Sequence, residues 1–79
     1  MDITSVKIGD RIRFIYRWAG TDYDNAQVGK HLVFPRAYTV ATVKLIANMA
    51  LVFLREVPDV GFNILHFTDA YSAAESGAD

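Results

Sequence analysis

The sequence has no cysteine and only two histidines among its 79 residues. Without cysteine, neither a disulfide framework nor a thiolate metal site can hold so small a fold together. The histidines, His31 and His66, lie far apart and lack the spacing and the cysteine partners expected of zinc ligands. We therefore expect no metal and no cofactor. His66 is predicted to lie at the edge of the core, with one ring nitrogen presented to a backbone carbonyl.

Long apolar runs and a strong charge of one sign are also missing. No run approaches the roughly 20 residues needed to span a bilayer, and residues 1–5 lack the basic and apolar order of a signal peptide. The net charge of −1 argues against bulk, sequence-independent binding to nucleic acid, which depends on many phosphate contacts. These features predict a cytoplasmic protein.

The motifs of common catalytic sites are absent as well. The sequence contains no glycine-rich phosphate loop and no nucleophile elbow, and nothing places a serine, a histidine and an aspartate together. Asp22, Asp24 and Asn25 invite comparison with a calcium loop, but the central glycine and the terminal glutamate are missing. We interpret these three residues as turn-forming and predict that the protein is not an enzyme.

The clearest positive signal is an alternation of residue types in residues 11–18. One face of this segment is apolar and aromatic, with Ile12, Phe14, Tyr16 and Trp18. The opposite face carries Arg11, Arg13, Ile15 and Arg17. A period of two is typical of a half-buried β-strand. We predict a first strand that runs to about Trp18, with its apolar face as a wall of the core.

Two further strands are predicted after a long connection. Residues 19–25 are turn-rich and polar without a usable period, and residues 19–37 as a whole are predicted to form a long loop after the first strand. Within this loop, Leu32, Val33 and Phe34 are apolar enough to form a short strand or to fold back as a lid. Residues 37–46 have high β-propensity, and the change of apolar parity after Val40 indicates a β-bulge. Asn48 is the expected hairpin residue before a nearly continuously apolar third strand, residues 49–57.

The last part of the chain predicts a turn, a closing strand and a tail. Pro58 to Gly61 is a turn signal. Residues 62–67 predict a single 3₁₀ turn that leads into the closing strand. The residues expected to fill the core here are Phe62, Leu65 and Phe67. Residues 71–79 are small and polar, so we predict one domain over residues 1–70 followed by a flexible C-terminal tail.

Four short motifs occur in order along these segments. They are Gly9-Asp10-Arg11-Ile12, Gly29-Lys30 with Tyr38-Thr39-Val40, Glu56-Val57-Pro58, and His66-Phe67. In this order they resemble a group of small proteins encoded by phages and bacteria, from which the chain differs by an insertion at residues 31–37. The resemblance implies an all-β fold: a small SH3-like barrel of about five strands, with a long loop after the first strand and a short 3₁₀ turn before the last. In such barrels the long loop and the adjacent sheet face form the recognition groove.

Bases and aromatic residues are concentrated in the first half of the chain. Residues 1–44 carry seven bases against four acids, and large aromatics at a strand end or a loop tip mark contact sites. We predict a non-enzymatic interaction module, a phage-encoded accessory protein that binds a host protein through residues 19–37 in the host cytoplasm. Its predicted partner-binding residues are Arg17, Trp18, Tyr23, Phe34 and Arg36.

Two alternatives remain open from the sequence. The first is a nucleic-acid-binding barrel with aromatic stacking. Its contacts would come from Arg11, Arg13, Arg17, Lys30 and Arg36. The second is a homo-oligomer in which the apolar third strand pairs or packs with a copy of itself. Tyr16 and Tyr38 are interpreted as core residues from strand parity.

Overall fold

The fold is built mainly from β-strands, as the sequence predicts. The computed structural model describes residues 5–70, so the predicted tail at 71–79 lies outside the described residues. In chain order the elements are β1 (Arg11–Phe14), α1 (Asp22–His31), β2 (Ala37–Ile46), β3 (Met49–Leu54), β4 (Val57–Asn63), a 3₁₀ turn (Ile64–His66) and β5 (Phe67–Asp69). In this part of the chain, no helix has the length and apolar character that crossing a membrane requires.

All five strands join one antiparallel sheet in the order β4-β3-β2-β1-β5. β4 and β5 are its two edges, and within the described residues they do not pair with each other, so the sheet is not closed. The core takes buried side chains from every strand and from α1. Among those from α1 is Val28, which fixes the helix to the rest of the fold.

Strand β2 and its hairpin are found where the sequence predicts them. Tyr38 is buried, and the pairing with β3 shifts between Val40 and Thr42, which is the predicted β-bulge. The hairpin loop consists of Ala47 and Asn48, both at positive φ, 47° and 68°. Two-residue loops of this kind match the twist of paired strands, and asparagine tolerates positive φ better than most residues. The predictions of the bulge, the hairpin and the buried Tyr38 are confirmed.

β1 ends at Phe14, well before the predicted end of the first strand. Ile12 and Phe14 are buried, but Tyr16 is 49% exposed, so its assignment to the core wall is wrong. The amides of Ile15 and Tyr16 both donate to the carbonyl of His66, at 3.1 and 3.0 Å. Because both amides share this one acceptor at the end of the 3₁₀ turn, the regular strand ladder stops there.

The connection after β1 is not the continuous loop predicted, because residues 22–31 form helix α1. The hydroxyl of Thr21 accepts from the amide of Asp24, and the carboxylate of Asp24 accepts from the amide of Thr21, both at 3.2 Å. This capping box satisfies two amides at the start of the helix. Val28 and Leu32, one turn apart, are buried. The interpretation of Asp24 as a loop residue is therefore wrong.

The turn after β3 also differs from the prediction. It lies at Arg55-Glu56, so Pro58 to Gly61 belong to β4 rather than to a turn. β4 is an edge strand, where a residue without an N–H donor is tolerated. Gly61 is needed for a close approach, since a Cβ built on it would lie 2.8 Å from Cζ of Phe53.

The 3₁₀ turn and the closing strand are confirmed. Phe62 and Phe67 fill the core as predicted. Leu65 is half exposed, so its assignment to the core is wrong. A 3₁₀ turn has three residues per turn, which sends consecutive side chains in different directions. Ile64 and His66 take the inward positions and leave Leu65 outside.

Candidate functional site

Arg17, Trp18 and Phe34, three of the predicted partner-binding residues, meet where the chain leaves β1. The guanidinium carbon of Arg17 lies 5.7 Å from the centre of the Trp18 ring and 5.2 Å from the centre of the Phe34 ring. Both distances are within the range of a cation–π contact. The planar cation is therefore held against two aromatic side chains, and Trp18 is itself 77% exposed.

Phe34 is positioned by contacts between β1 and the segment that follows α1. Its ring packs edge-on against Phe14, with ring centres 6.2 Å apart. The guanidinium of Arg13 donates to the carbonyl of Pro35 at 3.0 Å, and the amide of Phe14 donates to the carbonyl of Arg36 at 3.0 Å. The peptide bond between Phe34 and Pro35 is cis. These contacts fasten the segment that carries Phe34 to the first strand.

A cavity of about 100 Å³ lies against these side chains, and we call it the Arg17 pocket. Its lining residues are Phe14, Arg17, Trp18, Asn25, Val28, Gly29, Leu32 and Phe34. Its surface is mixed, because the core side chains of Phe14, Val28 and Leu32 line it together with the polar side chains of Arg17 and Asn25. Cavities of about 150 Å³ hold benzene. The Arg17 pocket is smaller and is sized for an aliphatic side chain.

Arg17 is the one charged residue among the described residues that line the Arg17 pocket. No acidic residue is among its lining residues. Within residues 5–70, the guanidinium of Arg17 makes no hydrogen bond and no salt bridge. Lys30 directly follows the lining residue Gly29 and is exposed, as is Arg36. The N–H donors of Arg17 are thus available to an acceptor on another molecule.

The two other predicted partner-binding residues do not line the Arg17 pocket. Tyr23 lies in the first turn of α1 and is 71% exposed, and Arg36 is exposed just before β2. The lining residues that sequence reasoning missed are Asn25, Val28, Gly29 and Leu32. The signal that could have found them is the capping pair Thr21 and Asp24, which marks the start of a helix.

The bases of the nucleic-acid alternative do not form one continuous row of free cations. Arg11 donates to the hydroxyl of Thr39 at 2.9 Å and lies 3.7 Å from the carboxylate of Glu56. Burial raises the pKa of Glu56, but hydrogen bonds from Thr39 and the charge of Arg11 outweigh it, so the pKa is lowered. Arg13 is engaged with a backbone carbonyl. The bases without such partners within the described residues are Arg17, Lys30 and Arg36.

A buried polar cluster joins the start of α1 to the 3₁₀ turn. Oδ2 of Asp24 accepts from the side-chain amide of Asn63 and from the backbone amide of Thr21, each at 3.2 Å. Nδ1 of His66 lies 2.7 Å from the carbonyl of Tyr16, which confirms the predicted carbonyl contact, but the ring is fully buried rather than at the edge of the core. Its Nε2 has no hydrogen-bond partner among the described residues.

Gly20 closes over this cluster. A Cβ built on Gly20 would lie 2.9 Å from Oδ2 of Asp24 and 3.0 Å from Nε2 of His66. Burial raises the pKa of Asp24, but hydrogen bonds from Asn63 and Thr21 and the nearby His66 outweigh it, so the pKa is lowered. The ionised carboxylate therefore ties the helix to the 3₁₀ turn. Within residues 5–70, no three acidic or histidine side chains come together to hold a metal ion.

Comparisons with known proteins give no further guidance. The chain matches no protein-family model, no curated protein and no solved structure. The resemblance to phage and bacterial proteins therefore stays a prediction from short motifs. The Arg17 pocket and its surroundings are the features of the structure that bear on function.

Proposed function

We propose that the protein is a small, non-enzymatic interaction module that binds another protein at the Arg17 pocket. The observation that carries this proposal is an arginine held against Trp18 and Phe34 at the edge of a cavity that is lined in part by core side chains. Tryptophan and arginine are among the residues that contribute most binding energy at protein interfaces. An exposed tryptophan beside an open, partly apolar cavity is the kind of surface that a protein partner covers.

The fold that we propose for this module is a small SH3-like barrel. The strand order β4-β3-β2-β1-β5 and the 3₁₀ turn before β5 support it, although β4 and β5 are unpaired edges. The connection after the first strand, which would border the recognition groove of such a barrel, is the segment that carries Arg17, Trp18 and Phe34. The location of the Arg17 pocket is therefore consistent with a recognition role.

The motif resemblance supports a more specific proposal about the partner. It favours a phage-encoded accessory protein that acts on a host protein in the host cytoplasm. The matching motifs are mostly structural, so they point to the kind of protein rather than to its contacts. The proposed contacts are supported by the pocket alone.

A pull-down with the tagged full chain from a bacterial lysate tests the proposal. We expect Trp18→Ala to reduce recovery of a specific partner about tenfold or more, which corresponds to about 1.4 kcal/mol. Tyr23→Ala is the matched control, because both aromatic side chains are more than two-thirds exposed but only Trp18 lines the pocket. Recovery should be unchanged in this control.

Two results would contradict the proposed site. If Trp18→Ala recovers the partner as well as the wild type does, the partner does not bind at the Arg17 pocket. If Tyr23→Ala loses the partner as strongly as Trp18→Ala, the contact is a general property of exposed aromatics and not of the pocket. Circular dichroism of both variants checks that each keeps the wild-type fold.

A second candidate function is self-association through the end of the β2–β3 hairpin. Residues 44–49 are all exposed, and three of them are large and apolar: Leu45, Ile46 and Met49. β3 is hydrogen-bonded to β2 on one side and to β4 on the other, so it has no free edge for pairing with a copy within the described residues. Of the two forms of the oligomer alternative, pairing of β3 is thus removed, and packing of the hairpin end against a second chain is kept.

A further inference from the structure

We infer that the Arg17 pocket recognises an acidic side chain that lies two positions from an aliphatic residue in an extended segment of a partner protein. This inference rests on the proposed function and adds the chemistry of the partner. It follows from three features of the pocket: an arginine without a hydrogen-bond or ionic partner within residues 5–70, an adjoining cavity with three core side chains in its lining, and a lining without acids. Each feature places a separate requirement on what binds.

The guanidinium of Arg17, which has no hydrogen-bond or ionic partner within residues 5–70, is suited to bind an anion. Its contacts with Trp18 and Phe34 hold the guanidinium in place but use no N–H donor. An arginine positioned in this way loses little side-chain freedom on binding, and its planar fork matches the two oxygens of a carboxylate. No residue within 5–70 supplies that carboxylate. The acceptor is therefore expected to come from another molecule.

The cavity beside Arg17 requires an aliphatic group. Its buried surface is formed by Phe14, Val28 and Leu32, which offer no polar partner through their side chains. Because Arg17 lines this same small cavity, the anion and the aliphatic group must lie close together on the ligand. Alternate residues of an extended chain point to the same side and are separated by roughly 6.6 Å along the strand. An acidic residue and an aliphatic residue with one residue between them meet both requirements.

Electrostatics favour a peptide over a nucleic acid as the source of the anion. Binding a nucleic-acid backbone needs several phosphate contacts. Arg11 and Arg13, the bases on β1, are already engaged with Thr39 and with a carbonyl, respectively. A nucleobase is also larger than the aliphatic side chain for which the cavity is sized. A single acidic side chain, in contrast, needs only one arginine, and the guanidinium of Arg17 is sufficient for it.

Titration with blocked peptides tests the inference directly. The chain has one tryptophan, so the fluorescence of Trp18 reports on this pocket alone. The probe is acetyl-Gly-Asp-Ala-Leu-Ala-Asp-Gly-amide, which presents the acidic and aliphatic residues in both orders. One comparison peptide replaces both aspartates by asparagine, and the other replaces leucine by alanine. We expect each comparison peptide to bind at least about tenfold more weakly than the probe.

Two variants of the full chain show whether Arg17 is responsible. In Arg17→Gln, the difference between the aspartate and asparagine peptides should disappear. Lys44→Gln is the matched control, because Lys44 also lies over an aromatic ring, 5.4 Å from the centre of Phe53, but does not line the Arg17 pocket. It should keep the tenfold difference. Both substituted side chains are exposed, so neither variant should impair folding.

Several results would overturn the inference. The first is equal affinity for the aspartate and asparagine peptides. The second is a preference for the aspartate peptide that persists in Arg17→Gln. The third is no detectable binding of the probe at about 10 mM. Tighter binding of an unblocked peptide that ends in leucine would assign the anion to a chain terminus instead. Tighter binding of a thymidine oligonucleotide would assign it to a nucleic acid. If the pull-down depends on Trp18 while any of these results is found, the proposed function stands and this inference alone fails.

Discussion

Two glycines near the Arg17 pocket, Gly20 and Gly29, differ in how much space they leave for a side chain. A Cβ on Gly20 would lie 2.6 Å from Cβ of Asp24, and something must shift to admit it, whereas a Cβ on Gly29 meets nothing within 4 Å. We expect Gly20→Ala to destabilise the protein by about 1–3 kcal/mol through overpacking. Gly29→Ala should stabilise it by about 0.5–1 kcal/mol, because glycine is unfavourable inside a helix.

Urea unfolding followed by circular dichroism measures both glycine variants against the wild type. We expect the free energy of unfolding to fall in Gly20→Ala and to rise in Gly29→Ala. Each variant serves as the control for the other. A wild-type unfolding midpoint for Gly20→Ala would show that Gly20 does not close over the buried polar cluster. A loss of stability in Gly29→Ala would contradict the open space beside that residue.

At the scale of secondary-structure elements, strand β2 could be predicted from the sequence and helix α1 could not. The bulge after Val40 and the turn at Asn48 depend on side-chain alternation and on local backbone preferences, which neighbouring residues reveal. α1 has only Val28 and Asp24 among its buried residues, so its apolar stripe is too narrow to produce a period. The helix is held by its capping box and by packing against distant residues, as is usual for short helices.

The contact between α1 and the 3₁₀ turn should make stability depend on acid pH through Asp24. The pKa of Asp24 is lower in the folded protein, where hydrogen bonds outweigh its burial, than in the unfolded chain. Its contribution is therefore fully present above the unfolded value of about 4 and is lost as the pH falls through the folded value. We expect Asp24→Asn to cost about 1 kcal/mol at pH 7, because a neutral amide oxygen accepts the hydrogen bonds from Thr21 and Asn63 more weakly than the carboxylate does. It should also lose less stability on acidification than the wild type.

Glu56 provides the comparison for this pH dependence. Its pKa is also lowered, again because hydrogen bonds outweigh burial, so its contribution has the same sign and is lost in the same acid range. The side chain of Glu56 is 39% exposed, and solvent screens its pairing with Arg11. Its contribution to the pH-dependent stability should therefore be smaller than that of Asp24. Urea unfolding of the wild type, Asp24→Asn and Glu56→Gln from about pH 5 to pH 2 measures the two contributions. An acid slope in Asp24→Asn equal to that of the wild type would contradict the assignment.

At the scale of the whole molecule, three residues of the candidate site could be singled out from the sequence, but the shape of the site could not. Arg17, Trp18 and Phe34 stand out in the sequence because large aromatics and a base occur in a polar connection. Their convergence depends on the register of β1 against β2, in which Arg13 pairs with Ala37 and so brings both ends of the connection together. A register between distant strands is a tertiary property. The apolar side of the pocket depends further on a helix that the sequence pattern did not reveal.

The exposed end of the β2–β3 hairpin leads to the last prediction, which concerns association of whole molecules. Ile46 and Met49 pair with each other next to the hairpin turn, Leu45 pairs with Ala50 on the opposite face of the hairpin, and all three apolar side chains are exposed. Burying such a cluster against a second copy gains about 25 cal/mol per Å² of apolar surface removed from water. We expect sedimentation velocity to show association that increases with protein concentration, and Ile46→Lys to abolish it. Leu65→Lys is the matched control, because Leu65 and Ile46 are each 51% exposed but Leu65 lies on the 3₁₀ turn. A wild type that stays monomeric at all concentrations, or an equal effect of the two substitutions, would remove the hairpin end as an interface and leave the Arg17 pocket as the remaining candidate surface.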